Sequence, residues 1–275
     1  MAPVSSIPSS IPPLTWIASF DLSVYVYYVL FLHLVPYLLF WCLAPVFNWE
    51  RTDKSPARHF EDLRKSFMYG VVLFVFGNYT QTFGWIMVVA FYPTLFIYVI
   101  VSQFPWAKFS LPQIRDWPPA MWILAGSVLS IILAAGGFHI YLAYRGGPLY
   151  LGLYLGSLLI PALLFAAAAL ALEEQNHGWI RQKLREYFGW GRARGHSSED
   201  SLEQAAESRE AQESASANHP RVSFHIHHWI VFYTLAFYTQ FGHPVSQVAA
   251  GCAFACYMEG IIAYGYDSLL LTTGA

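Results

Sequence analysis

Charge is scarce in this sequence. Only 12% of its residues are Asp, Glu, Lys or Arg, against about 25% in an ordinary soluble domain. That shortage excludes a freely soluble globular class for most of the chain. Lysine is rarer still, at positions 54, 65, 108 and 183 only, all between apolar runs, so no lysine stands inside a helix to carry a retinal Schiff base. The three cysteines (Cys42, Cys252, Cys256) all fall within apolar runs, and an odd number without secreted-type spacing excludes a disulfide framework. Basic residues are also missing from Met1–Thr15, which therefore lacks the head of a cleaved signal peptide and reads as a disordered tail. Phosphate-cradling glycine loops, serine nucleophile elbows and zincin helices are absent, no repeat marks a transporter, and nothing points to a nucleic-acid partner.

What is present is apolar length. Of the 275 residues 56% are hydrophobic and 18% aromatic, gathered in runs of about 20, the length that crosses a bilayer. The fold class this implies is an all-α polytopic membrane bundle in contact with lipid. Five helices are expected within 16–172, over about 22–47, 66–80, 85–104, 119–144 and 147–172. The break between the second and third is the turn-rich stretch Gly77-Asn78-Tyr79-Thr80-Gln81-Thr82-Phe83-Gly84. Residues 223–275 hold a final hairpin, turned at Gly242-His243-Pro244, and a short tail.

Charge placement orients the bundle. Arg51, Lys54, Arg58, Arg64 and Lys65 fill one loop, and a second basic loop covers 173–222. If both are cytoplasmic, 66–104 must be a hairpin, the helices number seven, the N-terminus lies outside and the C-terminus inside. Asn78-Tyr79-Thr80 matches a glycosylation sequon but sits too close to the membrane for use.

The 173–222 loop divides in two. Over 177–190, Trp179, Ile180, Leu184, Tyr187 and Phe188 recur at helical spacing among Arg181, Lys183 and Arg185. This is the pattern of a basic amphipathic helix on a membrane surface, and with Arg192 and Arg194 it extends an anionic-headgroup partner region over 177–194. Residues 195–218 are rich in Ser, Glu, Ala and Gln, too poor in bulky apolar groups to order themselves, and read as a linker.

One cluster carries chemistry. His225, His227 and His228 open the sixth helix, and Glu259 lies near the end of the seventh, just before Tyr266 and Asp267. Counting outward from Gly242 brings the histidines and Glu259 to similar depth. His225 and His228, three apart, share a helix face, so His225, His228 and Glu259 are the candidate metal ligands, for zinc or iron, with His227, Tyr266 and Asp267 as supporting groups. A lone His-box does not make a membrane desaturase, which needs several. A carboxyl buried in a span costs about 2.5–3.5 kcal/mol on insertion scales and therefore faces the bundle with a partner. The rival expectations are a structural Glu–His contact, a proton- or metal-ion-handling transporter using His33 and Glu259, and a non-catalytic scaffold. His33 reads as a packed, hydrogen-bonded histidine, His139 and His243 as a remote haem-pair possibility, and Cys252 and Cys256 as small packing residues.

Overall fold

The computed structural model describes residues 20–105, 115–188, 221–224, 228–266 and 270–273. Among them the chain forms helices α1 (Leu22–Phe47), α2 (Pro56–Phe76), α3 (Tyr79–Thr82), α4 (Trp85–Ser102), α5 (Pro119–Arg145), α6 (Pro148–His177), α7 (Trp179–Phe188), α8 (His228–Ala236) and α9 (Pro244–Ala263), with two short strands, β1 (Arg221–Phe224) and β2 (Leu270–Thr273). Five helices, α1, α4, α5, α6 and α9, are long and apolar enough to cross a membrane. The chain is an integral membrane protein.

Local chemistry sets the helix ends. Asp21 caps α1, its carboxylate accepting the N–H groups of Ser23 and Val24 at 2.8 and 3.1 Å. Ser55 caps α2 through the Arg58 N–H at 3.3 Å, and Pro56 follows where its missing N–H costs nothing. His243 caps α9 through Val245 N–H at 3.2 Å, again followed by proline. Asn48 ends α1 in the left-handed region, a role asparagine tolerates.

Two boundaries differ from the sequence expectation. The second helix starts at Pro56, ten residues before the expected 66, because the charged stretch is a good helix former with a cap in front of it. The sixth starts at His228 rather than Phe224, since 221–224 pair as a strand with 270–273 in antiparallel register (Arg221 opposite Thr273).

The chain divides into two compact units, residues 1–161 with 227–267 and residues 162–226 with 268–275. In the second unit, Glu174 accepts the Ile180 N–H at 2.7 Å and so caps the start of α7, while the β1–β2 ladder closes that unit's chain ends.

In the first unit α9 is central. Two-thirds of its most apolar stretch is buried, against 6% for α5. Gly251 is what lets α4 approach, since a methyl there would lie 2.6 Å from the Met87 carbonyl and 3.0 Å from Ala90. The small residues around Cys252 and Cys256 are packing residues, as read, with Cys252 against the Thr94 hydroxyl at 3.3 Å.

Both α2 and α8 pack antiparallel against the second half of α9. On α2, Asp62 meets Tyr266, and Ser66 meets Met258 at 3.7 Å. On α8, Trp229 packs edge-on to Tyr266 at 4.9 Å and Tyr233 on Tyr257 at 5.5 Å, and beyond the helix Phe241 reaches Ser246. At that far end Asn78 donates to the Gln240 carbonyl at 3.1 Å, so the sequon amide is buried inside the bundle. A smaller core of Leu142, Ala143, Tyr150, Tyr154 and Phe241 seats the α5–α6 turn there.

After α9 the chain turns at Gly265, whose φ of +92° favours glycine and whose Cβ position lies 2.9 Å from an Asp62 oxygen. Gly265→Ala is expected to lower stability by about 1–3 kcal/mol, whereas Gly126→Ala, in open space on helix α5, should be neutral or stabilising by up to about 1 kcal/mol. Thermal unfolding of both variants in detergent checks this, and equal losses would contradict it.

Candidate functional site

The end of the bundle where α9 finishes gathers the polar chemistry. Asp62 is fully buried (0% exposed) one turn into the body of α2. Its carboxylate pairs with the Lys54 ammonium at 2.9 Å and the Arg58 guanidinium at 3.5 Å, and accepts the Tyr266 N–H at 3.2 Å. Lys54 also donates to the carbonyls of Ile261 and Ile262 at 2.7 and 2.9 Å, the exposed oxygens at the negative end of the α9 dipole. Thr52 N–H covers the Ala263 carbonyl at 2.9 Å, and Arg58 reaches the Tyr266 carbonyl at 3.0 Å. The basic loop between α1 and α2 is therefore a cap for α9 as well as a topology signal. The periodicity of the sequence marks Asp62 as one more solvated loop charge, and only the close approach of α2 to α9 shows it to be interior.

Glu259 lies in the same end, 2% exposed on α9. It is within electrostatic reach of Tyr98 on α4 and of Cys256 one turn away. Tyr264, just past the helix, is pushed up to about 12, first by burial and then by the negative charges of Glu259 and Glu50. Tyr98 packs edge-on against Phe232 of α8 at 5.8 Å, so the α8 face that carries Phe232, and one turn earlier position 228, borders the region of Glu259. The pairing of Trp229 with Tyr266 and Tyr233 with Tyr257 puts the start of α8 level with Glu259.

His225, His227 and Asp267 of the expected cluster lie outside the described residues. Among the described residues no three His, Cys, Asp or Glu side chains gather as a ligand set. Tyr266 is buried, stacked on Tyr69 and hydrogen-bonded through its hydroxyl to that of Tyr257. It belongs to the aromatic core more than to an open site.

Other histidines separate clearly. His139 presents Nδ1 to the Ala135 carbonyl at 2.6 Å and Nε2 to the Ser246 hydroxyl at 3.0 Å. With Nδ1–H donating, Nε2 accepts from Ser246, and the ring clasps α5 to α9 with no nitrogen left for haem. His33 is packed but lacks the hydrogen bond expected of it. It sits in a π-helical turn, Leu30–Leu34, between Tyr28 and Phe254 and against Gly70, where a methyl would fall 2.6 Å from Nε2. Among the described residues, neither ring nitrogen of His33 nor the hydroxyl of neighbouring Tyr28 has a hydrogen-bond partner, and both residues are fully buried. Such π-turns and orphaned polar atoms concentrate at functional positions.

Removing the charge at position 62 strands the buried Lys54. Asp62→Asn is expected to lower stability by about 3–5 kcal/mol, and Lys54→Met with Asp62→Leu together by less than either alone. Denaturant titration of the detergent-solubilised protein reads both, and additive losses would remove the ion pair from its organising role. No family model, curated protein or solved structure matches the chain.

Proposed function

We propose that the protein is a seven-span membrane enzyme that works at the α9 end of the bundle, with a zinc or iron ion held by His228, Glu259 and His225, on a lipid or other hydrophobic substrate. The observation that carries this reading is the burial of Glu259 (2% exposed) at the level where α8 begins with His228. Imidazole and carboxylate together suit either metal, and a bound metal supplies a Lewis acid for hydrolysis or a redox centre for oxidation. Glu259 would give a fixed anionic ligand that no water competes for, and His227, Tyr266 and Asp267 would orient the set.

The span count counts α2 and α8 as spans, a reading supported by their antiparallel packing against α9. Neither is apolar enough to be recognised as a span by composition, because α2 opens with charges and α8 is short. Counting both keeps the 48–65 and 173–222 stretches on one side, and their basic residues make that side cytoplasmic, with the N-terminus outside and the C-terminus inside. Helix α7 then lies along the inner leaflet. Trp179, Lys183, Leu184, Tyr187 and Phe188 are exposed on it, and the sequence adds Arg181 and Arg185, a composition suited to anionic headgroups over 177–194.

A second reading, proton or metal-ion handling, is favoured by the orphaned polar atoms of Tyr28 and His33 inside the bundle. One preparation separates the two. Elemental analysis of the purified chain is expected to find about one zinc or iron per molecule, lost in His228→Ala and in Glu259→Gln while the unfolding temperature stays within a few degrees. Metal-free wild-type protein overturns the metal reading. Proton flux in liposomes that disappears in His33→Gln would then establish the second.

A further inference from the structure

A cleft of about 110 Å³ lies between the second half of α1 and the 51–59 stretch, lined by Tyr37, Trp41, Arg51, Thr52, Asp53 and His59 among others. It borders the Glu259 end through Lys54 and Ile262, but its open donors are other residues, and its chemistry is independent of any metal there.

Its two sides differ in kind. One is apolar: Phe40 and Trp41 come from α1, and Trp41 is exposed on the surface that this span gives to lipid. The other is the N-terminal turn of α2. That turn contains no acidic residue, yet Arg58 and His59 stand in it and Arg51 stands beside it, so cationic groups are collected at the positive end of a helix dipole. The nearby anions are mostly committed. Asp62 is taken by Lys54, Arg58 and the Tyr266 N–H, which leaves Asp53, exposed on the rim, as the acid of the lining. Lys54 contributes charge but no donor, since its ammonium already serves Asp62 and the carbonyls of Ile261 and Ile262.

Two cationic or imidazole side chains face the cleft beside the Asp53 carboxylate. Arg51 is exposed. His59 has Nδ1 at 2.7 Å from the Tyr37 hydroxyl. Burial and the positive charges of Lys54 and Arg51 hold its imidazole below the usual histidine range, against the opposing pull of Asp62. In the neutral ring with Tyr37 donating to Nδ1, the proton sits on Nε2, which becomes a donor.

We propose that this cleft binds the phosphate of a membrane phospholipid, its oxygens between Arg51 and His59 Nε2 at the head of α2 and its acyl chains along Trp41. A helix N-terminus with a guanidinium is a natural phosphate site, and guanidinium binds phosphate oxygens in a forked pair. The position suits a lipid, because the cationic side lies in an inter-helical connection and the apolar side continues onto a span. Asp53 on the rim is placed to meet the ammonium of a zwitterionic head group.

The test uses the full chain in a neutral maltoside detergent at fixed ionic strength, with three probes: dioctanoyl phosphatidylglycerol, dioctanoylglycerol and inorganic phosphate. The phospholipid is expected to raise the unfolding temperature saturably by several degrees. Arg51→Gln and His59→Asn are each expected to weaken that effect at least tenfold in midpoint concentration, while Arg145→Gln at the end of α5 leaves it unchanged. Dioctanoylglycerol should give no saturable shift. A shift with inorganic phosphate of the same size, lost in Arg51→Gln, would assign the site to free phosphate. The proposal is overturned if dioctanoylglycerol stabilises as well as the phospholipid, or if Arg51→Gln, folded as judged by its own unfolding temperature, keeps the wild-type midpoint. Neither outcome depends on metal content.

Discussion

A carboxylate with no exposed surface holds this bundle in register. Asp62 is the point at which the α1–α2 loop, α2 and the chain leaving α9 are joined, through Lys54, Arg58 and the Tyr266 N–H. Lys54 extends the junction to the last carbonyls of α9, adding a second donor to Ile261 and serving Ile262 where a span meets the interface. A buried pair of this kind gains little over a well-packed apolar alternative, because desolvation of both ions offsets most of their attraction. Its effect is on specificity: α2 could slide along α9 by a turn at small hydrophobic cost, but not without leaving a charge unpaired. Gly265 shows the same constraint from the other side, since the turn passes so close to Asp62 that no side chain fits.

From that fixed end the rest of the first unit follows. Antiparallel runs from Asp62 to Ser66 and from Trp229 through Tyr233 place tyrosines from α2, α8 and α9 against one another, and Phe254 fills the middle with Tyr28 and Phe91. Lipid supplies no hydrophobic drive between helices, so association relies on close packing and on hydrogen bonds between helices. Gly251 and Gly70 provide the first, and Tyr233 to the Tyr69 carbonyl, Thr82 to the Thr239 carbonyl and His139 to Ser246 provide the second.

The sequence made the apolar helices legible because a span must be long and uncharged, and α1, α4, α5, α6 and α9 match their expected positions closely. It also marked the turn near Gly77–Gly84 and the hairpin at Gly242-His243-Pro244, where glycine, asparagine and proline leave few alternatives. It failed at α2 and at the start of α8 for a shared reason. Each buries one face against neighbours, and on α2 polar residues such as Asp62 and Ser66 are admitted because a tertiary partner meets them. Periodicity cannot see a partner more than 150 residues away. Within the candidate site, the burial of Glu259 was readable as an acid inside an apolar run, whereas the role of Asp62 and the clasp at His139 depended on contacts between distant segments.

The two ends of α9 therefore have different chemical characters. At the Gln240 end the polar groups satisfy one another: Asn78, Thr82, Tyr79, Thr239 and Ser246 all have partners for the atoms that join the helices. At the Glu259 end a buried acid, a guanidinium-bearing loop and a histidine paired to a tyrosine lie within a few turns of one another, next to a cleft open to the lipid-facing surface. Stability alone gives no reason to concentrate ionisable groups there, since a bundle end can be closed more cheaply by neutral caps of the kind found opposite. The asymmetry is one of charge: ionisable groups collect where α9 ends, and neutral hydrogen bonds close the end where it begins.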